Sequence, residues 1–245
     1  MDNPSPTHLS LCSGYEGIGL GLKRVFPSCR TIAHVEIEAF ACANLVAKME
    51  AGALDQAPLW TDIKTFDGKP FRGLVDILSG GFPCPPFSHA SGENRKADQD
   101  PRHLFPSILN VIQDTQPRVV FLENVEGIIS AKLKGEQWSD PAITPVLLHV
   151  CRELERRGYK TAWGIFSAEE VGAPMSRKRV FICGVADSIS PRAETWLPEP
   201  EQWQEGVAEI THDGGHRRCL TGRRGCSNSK NESPSLYSQR QFCFI

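Results

Sequence analysis

Apolar and polar positions alternate along the first 185 residues in segments that have the lengths of strands and helices. Short, mainly apolar runs typical of buried strands are found at Leu9–Leu11, Thr31–Val35, Leu74–Leu78, Arg118–Leu122, Tyr159–Phe166 and Val180–Ile182. Segments with the spacing of amphipathic helices are found at Ala39–Ala51, Leu104–Gln113 and Pro145–Arg157, and Gly158 then stands where a helix C-cap glycine is favoured. This alternation predicts an α/β fold with a mostly parallel sheet and helices on both faces.

The pattern changes after Val185. Residues 186–245 contain Pro, Trp and Glu, then Gly, Ser and Arg, without a sustained period, which predicts a poorly structured tail after a domain at residues 1–185. Between His216 and Arg240 there are six Lys or Arg residues and a single Glu. Such a basic stretch suits contacts with DNA phosphates, although a solvated tail explains the composition equally well.

Composition narrows the class of protein only moderately. The chain has 245 residues, of which 40% are hydrophobic, enough for one sizeable core. The net charge of −2 means that a nucleic-acid enzyme would need locally clustered basic residues. The sequence has no apolar run long enough to span a bilayer and a polar N-terminus without a signal peptide, so we expect no membrane contact and a cytoplasmic location. The nine cysteines form no CxxC pair, which favours reduced thiols over a metal site.

One of these cysteines is displayed in an unusual way. Cys84 lies in the segment Phe82–Ser88, which contains three prolines and follows Gly80 and Gly81. Proline fixes φ and lacks an N–H donor, so Cys84 is expected in a stiff turn just beyond the carboxyl end of a strand, where ligands collect in open α/β sheets. An isolated cysteine of this kind is usually a buried structural residue.

Other polar residues make a reactive role for Cys84 the better interpretation. Glu123 ends a second apolar run, and Arg177 and Arg179 stand at alternate positions before a third. In an extended chain these two arginines face the same side. Each feature alone has an ordinary structural explanation, but a thiol, a carboxylate and a pair of guanidinium groups at three strands are a rare combination.

Together these motifs resemble the DNA (cytosine-5)-methyltransferase family. Pro83–Ser88 is similar to its nucleophile motif, Glu123-Asn124-Val125 to its Glu-Asn-Val motif, and Arg177 and Arg179 match the arginines of Gln-x-Arg-x-Arg. Leu9–Gly19 resembles the glycine-rich turn that the family uses for S-adenosylmethionine. The resemblance extends over about Leu9–Val185. It implies a Rossmann-like S-adenosylmethionine-dependent methyltransferase fold for residues 1–185.

The resemblance also implies a reaction, methyl transfer to C5 of cytosine in double-stranded DNA. Cys84, as a thiolate, would add to C6 of a flipped cytosine, because C5 alone is a poor nucleophile. Glu123 would neutralise the charge that develops at N3, and its apolar neighbours favour a raised pKa. Arg177 and Arg179 would bind cytosine O2, Glu123 or a phosphate, in an order that the sequence leaves open. Their charge would also lower the pKa of the Cys84 thiol.

Further residues are assigned to the cofactor by the same resemblance. Those implied are Ser13, Gly14 and Gly17 in the glycine turn, Glu36 for the ribose hydroxyls, Asp62 for the adenine amine, Ile37 and Ile63 beside the ring, and Pro83. Asp62 is equally explained as a cap or turn residue. Ser13, Ser88 and Asn124 are weaker candidates for orienting hydrogen bonds. Ser91–Asp100 is predicted to be a mobile active-site loop, followed by a further family-like motif at Asp100–Phe105.

The chain departs from the family pattern in several places. A target-recognition region and the final helical return are not evident after Arg179, Met175 replaces the usual Gln, and Ser10 replaces the usual acidic residue of the first strand. The favoured interpretation is an active enzyme that relies on a short tail or a separate recognition partner. The departures leave two alternatives to it. One is an impaired accessory member that binds DNA or cofactor without transferring methyl groups. The other is an unrelated thiol enzyme or dinucleotide-dependent oxidoreductase.

Overall fold

A computed structural model describes residues 5–83, 104–133 and 138–187 of the chain. The strands are β1 (Thr7–Leu11), β2 (Arg30–Val35), β3 (Leu59–Trp60), β4 (Ile77–Gly81), β5 (Val119–Val125), β6 (Tyr159–Ser167) and β7 (Lys178–Ala186). The α-helices are α1 (Gly17–Val25), α2 (Ala39–Glu50), α3 (Phe105–Thr115) and α4 (Val146–Glu155).

The seven strands form one sheet in the order β3-β2-β1-β4-β5-β7-β6. Pairings among β1 to β5 are parallel, whereas β7 runs antiparallel to both β5 and β6. The chain moves outward in one direction from β1 to β3 and in the other from β4 onward. Right-handed connections therefore place α1 and α2 on one face and α3 and α4 on the other. The predicted fold class, a mostly parallel sheet between two layers of helices, is confirmed.

The core lies between the sheet and these helices. Leu9, Leu78, Leu122 and Ile182 are fully buried on four of the central strands. Side chains of β5 alternate between buried and partly exposed, so that Val120, Leu122 and Asn124 share the more buried face while Glu123 belongs to the other.

The strand predicted at Leu74–Leu78 is placed differently in the structure. It begins at Ile77 and continues to Gly81, because Leu74 still belongs to a turn in which its N–H donates to the Phe71 carbonyl. The predicted strand therefore stops too early and omits Gly80 and Gly81. Both are strand residues, paired with Leu122 and Glu123. The end of this strand was hard to predict because glycine has a low β-propensity. The strand is stabilised there by pairing with a neighbouring strand on each side.

The predicted helices are confirmed within two residues at either end, and α1 is an addition to them. Gly158 has a φ of 82°, in the region that favours glycine, but α4 ends at Glu155 with Arg156 as its C-cap, so Gly158 lies two residues beyond the cap. Within the described ranges, no helix is long and apolar enough to cross a membrane. Residues 188–245 of the predicted tail and the predicted loop Ser91–Asp100 lie outside the described residues.

Candidate active site

The chain leaves the carboxyl end of β4 in a fixed position. Phe82 is buried, its ring stacks on Phe105 at a centroid distance of 5.5 Å, and its carbonyl accepts a 3.0 Å hydrogen bond from Nδ2 of Asn124. Pro83 follows, and the predicted nucleophile Cys84 lies outside the described residues. The main chain is thus anchored two residues before Cys84, by a residue that the sequence marked only as a weak orienting candidate.

Glu123 and Arg179 meet across the antiparallel pair β5 and β7. The register pairs Glu123 with Phe181 and Val125 with Arg179, so the two charged residues are diagonal neighbours. Nε of Arg179 lies 2.6 Å from Oε1 of Glu123, and both side chains are about one-quarter exposed at 24%. The structure therefore brings together the predicted acid and one of the two predicted arginines.

The surroundings of Glu123 favour its protonated form. Burial raises the pKa of Glu123, and the positive charges of Arg179 and Arg177 offset this rise only in part. Arg177 precedes β7 and is exposed, and its N–H donates to the Met175 carbonyl. The two arginines are thus separated by environment, with Arg179 paired to the carboxylate and Arg177 open to solvent.

The neighbouring strand leaves room for this carboxylate. Gly81 is opposite Glu123, and a methyl group added at Gly81 would lie 3.2 Å from Oε2 of Glu123. Any larger side chain would require the carboxylate to move. Gly81 therefore leaves room for the Glu123 side chain of β5 beside β4, the strand that leads to Cys84.

The glycine-rich turn lies at the adjacent carboxyl ends of β1 and β2. Ser13 donates from its backbone N–H to the Val35 carbonyl at 3.2 Å, and the Gly14 N–H donates to Oε2 of Glu36 at 2.7 Å. The other carboxylate oxygen of Glu36 accepts the Glu38 N–H at 2.8 Å. Gly14 has φ of 52°, which explains a glycine there, whereas Gly17 begins α1 with open space around it.

Three more predicted cofactor residues lie just beyond β2 and β3. Ile37 follows Glu36 and is 65% exposed, whereas Ile63 is buried in the core at 6%. Oδ1 of Asp62 accepts the Lys64 N–H at 2.9 Å, which is the turn role left open by the sequence. Ile37 thus has free apolar surface for a ligand, and Ile63 has little.

Two residues near this turn were not singled out from the sequence. Trp60 ends β3 with its ring 48% exposed, and its Nε1–H donates to Oγ1 of Thr65 at 3.1 Å. Glu16 lies inside the glycine turn but is buried, at 1% exposure. The sequence signal for Glu16 was a carboxylate within a run of glycines. Its burial calls for partners, since acidic side chains are rarely buried without them.

Four of the five cysteines in the described ranges are unlike a nucleophile. Burial raises the pKa of Cys12, Cys151 and Cys183 to about 12 and that of Cys29 to about 11. These thiols stay protonated near neutral pH, which makes them poor nucleophiles.

A buried cluster of Asp140, His149 and Glu153 has the residue types of a metal site. Its carboxylates, however, already form ion pairs with arginine side chains. Oδ1 of Asp140 lies 2.7 Å from Arg156 and 3.3 Å from Arg152, and Oε2 of Glu153 lies 2.6 Å from Arg157. The cluster is therefore an ion-pair network that joins α4 to the segment before it.

Comparison with known proteins identifies a family for this chain. The chain matches the family C-5 cytosine-specific DNA methylase over residues 7–230. It is 31% identical to the Type II methyltransferase M.NgoMIV of Neisseria gonorrhoeae, covering 84% of this chain and 60% of that protein. It is also 31% identical to the Type II methyltransferase M1.HphI of Haemophilus parahaemolyticus, over 80% of this chain and 49% of the relative.

Solved structures support the same fold. The Dnmt2 methyltransferase of S. pombe superposes with a TM-score of 0.56 at 22% identity, covering 84% of this chain and 59% of that one. A methyltransferase from Entamoeba histolytica gives the same TM-score at 18% identity, over 76% and 54% of the two chains. At these identities the likeness concerns the fold alone.

The sheet order and the glycine turn beside Glu36 define a Rossmann-like methyltransferase fold. Within that class, the chain belongs to the C-5 cytosine-specific DNA methylase family. It spans 60% or less of the length of the curated relatives named above.

Proposed function

We propose that the chain transfers a methyl group from S-adenosylmethionine to C5 of cytosine in double-stranded DNA, through a covalent bond between Cys84 and cytosine C6. The observation that carries the proposal is the Glu123–Arg179 pair, which stands opposite Gly81, three residues before Cys84. A candidate proton donor is thereby held beside β4, the strand that leads to Cys84 along the chain.

Cys84 begins the reaction by adding to C6, which makes C5 nucleophilic. S-adenosylmethionine, held by the turn Ser13–Gly17 and Glu36, would supply the electrophilic methyl group that C5 attacks, and its sulfonium would become a neutral thioether. Elimination of Cys84 with loss of the C5 proton then restores the aromatic ring. The hydrogen bond from Asn124 to the Phe82 carbonyl supports this role by fixing the approach of the chain to Cys84.

Glu123 acts at N3 of the same base. Addition of the thiolate places negative charge on the ring, and a neutral carboxyl group donates a proton or a hydrogen bond to N3 at that moment. Burial raises the pKa of Glu123, which favours the protonated form more than in an exposed glutamate. Arg179 orients the carboxyl group, while the exposed Arg177 remains available for cytosine O2 or a phosphate.

The turn at β1 fits the cofactor. Glu36 accepts one hydrogen bond on each carboxylate oxygen, which leaves lone pairs for ribose hydroxyls. Ile37 offers an apolar surface next to it for the adenine ring, with Ser13, Gly14 and Gly17 forming the turn. We assign Asp62 to the adenine amine, Ile63 to the support of this surface and Pro83 to the cofactor site.

The relatives named above are Type II methyltransferases, so modification of DNA beside a restriction enzyme is the proposed setting. We further propose that a separate recognition partner contributes to the selection of the DNA sequence.

Trapping with a duplex that contains 5-fluorocytosine tests the chemistry. Fluorine at C5 blocks the elimination step, so the chain should form a stable complex with the duplex only when S-adenosylmethionine is added. Cys84→Ser should form none, and Cys183→Ser serves as the matched control because Cys183 is buried in β7. Binding of both DNA and cofactor without a covalent complex would instead favour an accessory role.

A further inference from the structure

The predicted cofactor turn contains a residue whose conformation is costly. Glu16 has φ of 62°, in the left-handed region that a residue with a long side chain rarely adopts. Its carboxylate is also buried, and removing a charged group from water costs free energy unless partners replace the water. A residue that combines both costs is retained only where its surroundings fix it firmly.

The partners of Glu16 come from the sheet beneath the turn. Oγ of Ser10 on β1 donates to Oε2 of Glu16 at 2.7 Å. Nδ1 of His34 on β2 lies 3.3 Å from the same oxygen, and Nδ1 of His8 on β1 lies 3.6 Å from Oε1. The two imidazole rings are fully buried. The glycine turn is therefore joined through one carboxylate to β1, by the hydrogen bond from Ser10, and to β2, by the close contact with His34.

This carboxylate is held in its charged form. Burial alone would raise the pKa of Glu16, but His34, His8 and Ser10 together outweigh that effect and lower the pKa. His8 is further fixed by Oγ of Ser79 on β4, 2.7 Å from Nε2. The contact thus extends from the turn through β1 to the strand that leads toward Cys84.

The side chain of Glu16 also occupies a space that the sequence keeps free. A methyl group added at Gly19 would lie 2.0 Å from Oε1 of Glu16, so Gly19 is required for the carboxylate to fold back over α1. The Glu16 carbonyl accepts the Leu20 N–H at 3.0 Å and begins that helix. One residue thereby sets both the end of the turn and the start of α1.

We infer that Glu16 is a positioning residue for S-adenosylmethionine. Glu16 holds the turn Ser13–Gly17 from the side of the sheet, and Glu36 holds the same turn from the side of the ligand. The inference rests on the proposed function, since it takes this turn as the cofactor site. Glu36 accepts the Gly14 N–H, and Glu16 anchors the same turn two residues later. Loss of either anchor leaves the turn free to adopt other conformations. Binding is then weaker, because the ligand binds to only one conformation of the turn.

The test is the dissociation constant for S-adenosylmethionine, measured by calorimetry on the full chain and on Glu16→Gln. The variant keeps size but loses the charge-assisted contacts, and we expect the dissociation constant to rise about tenfold or more. With saturating cofactor, kcat should stay within about twofold of the wild type, because Glu16 does not touch the reacting atoms. Gln116→Gly is the matched control, since Gln116 also has a left-handed φ, of 49°, but lies at the end of α3.

Ser10→Ala is a milder second variant in case Glu16→Gln does not fold, and it should weaken cofactor binding about threefold through the loss of one hydrogen bond. If either folded variant loses thermal stability but keeps the wild-type dissociation constant, the inference is wrong and Glu16 is purely structural. A wild-type chain that binds no S-adenosylmethionine would overturn the proposed function as well. Normal cofactor binding that depends on Glu16, without any methylation of DNA, would leave the inference standing and reject only the activity.

Discussion

Arg179 Nε lies 2.6 Å from Glu123 Oε1, and this contact joins two strands that the sequence separates by more than fifty residues. Antiparallel pairing of β5 and β7 makes the contact, because it places residue 179 opposite residue 125 and thus diagonal to residue 123. The guanidinium group orients the carboxyl group, while burial keeps the pKa of Glu123 raised. This balance between an orienting cation and a buried acid is central to the proposed chemistry.

Replacing Glu123 should therefore affect the reaction far more than the fold. Glu123→Gln keeps the shape but cannot give up a proton, and we expect kcat to fall about 100-fold or more. The measurement is transfer of labelled methyl groups to duplex DNA at saturating substrates. Glu126→Gln is the control, since Glu126 is half-exposed on the same segment and pairs with Lys178 at 3.7 Å. Equal losses in both variants would argue against a specific role for Glu123.

Arg179 should also control the pH dependence of the rate. An acid with a raised pKa stays protonated to higher pH, and the rate falls as pH rises through that pKa. Arg179→Gln removes a positive charge that opposes the rise, so the alkaline decline of kcat should move to higher pH, whereas Arg179→Lys should shift it less. A pH profile of kcat for the three proteins checks this, and an unchanged profile would show that Arg179 does not tune Glu123.

Asn124 should link fold stability to the position of Cys84. Asn124→Ala leaves the buried Phe82 carbonyl without its donor, which should lower the free energy of unfolding by about 1–3 kcal/mol. Trapping with 5-fluorocytosine DNA should also become slower, because the chain before Cys84 loses its anchor. Thr115→Ala removes another buried hydrogen bond, from Thr115 Oγ1 to the Val111 carbonyl, away from the site. It should lower stability to a similar extent without slowing the trap; equal trapping rates in both variants would contradict the role of Asn124.

His8 should make the fold sensitive to acid. Burial lowers the pKa of His8 from 6.5 to about 4, so between these values the unfolded chain binds a proton that the folded chain does not. The free energy of unfolding should therefore decrease as pH falls, by about 2 kcal/mol from His8 between pH 7 and pH 5. Urea unfolding at both pH values checks this. His8→Gln should remove that part of the pH dependence, and an unaltered dependence would mean that His8 is not the group responsible.

The cluster around Asp140 should be independent of metal. Its carboxylates already pair with three arginines, so a chelator should leave the melting temperature unchanged. Asp140→Asn leaves His149 and Arg156 without their charged partner and should lower the free energy of unfolding by about 3 kcal/mol. A fall in melting temperature on chelation, reversed by one divalent metal, would show that the cluster holds an ion.

The sequence predicted the fold class well because its signal is local. Apolar runs and helical spacing indicated the main elements, and Gly158 marked the end of α4 to within two residues of its cap. The start of β4 was missed because Leu74 and Val75 extend the apolar run ahead of Ile77, although Asp76 between them accepts the Thr7 N–H at 2.9 Å. Such a boundary depends on contacts with a distant strand, which periodicity does not record.

The site was less accessible from the sequence. Residue types and their spacing along the chain identified Glu123, Arg177, Arg179 and Glu36 as candidate site residues. The partner of Glu123, however, is set by the register of β5 and β7. Glu16 was passed over because its importance comes from burial and from two histidines on neighbouring strands. These properties emerge only when the sheet is assembled.

Transfer of labelled methyl groups from S-adenosylmethionine to cytosine-containing duplex DNA, by the full chain and by Cys84→Ser, tests the central claim most directly. The account predicts incorporation at cytosine C5 by the wild type and none by the variant, with equal cofactor binding by both. Equal incorporation by Cys84→Ser, or no incorporation by a wild-type chain that binds both cofactor and DNA, would contradict it.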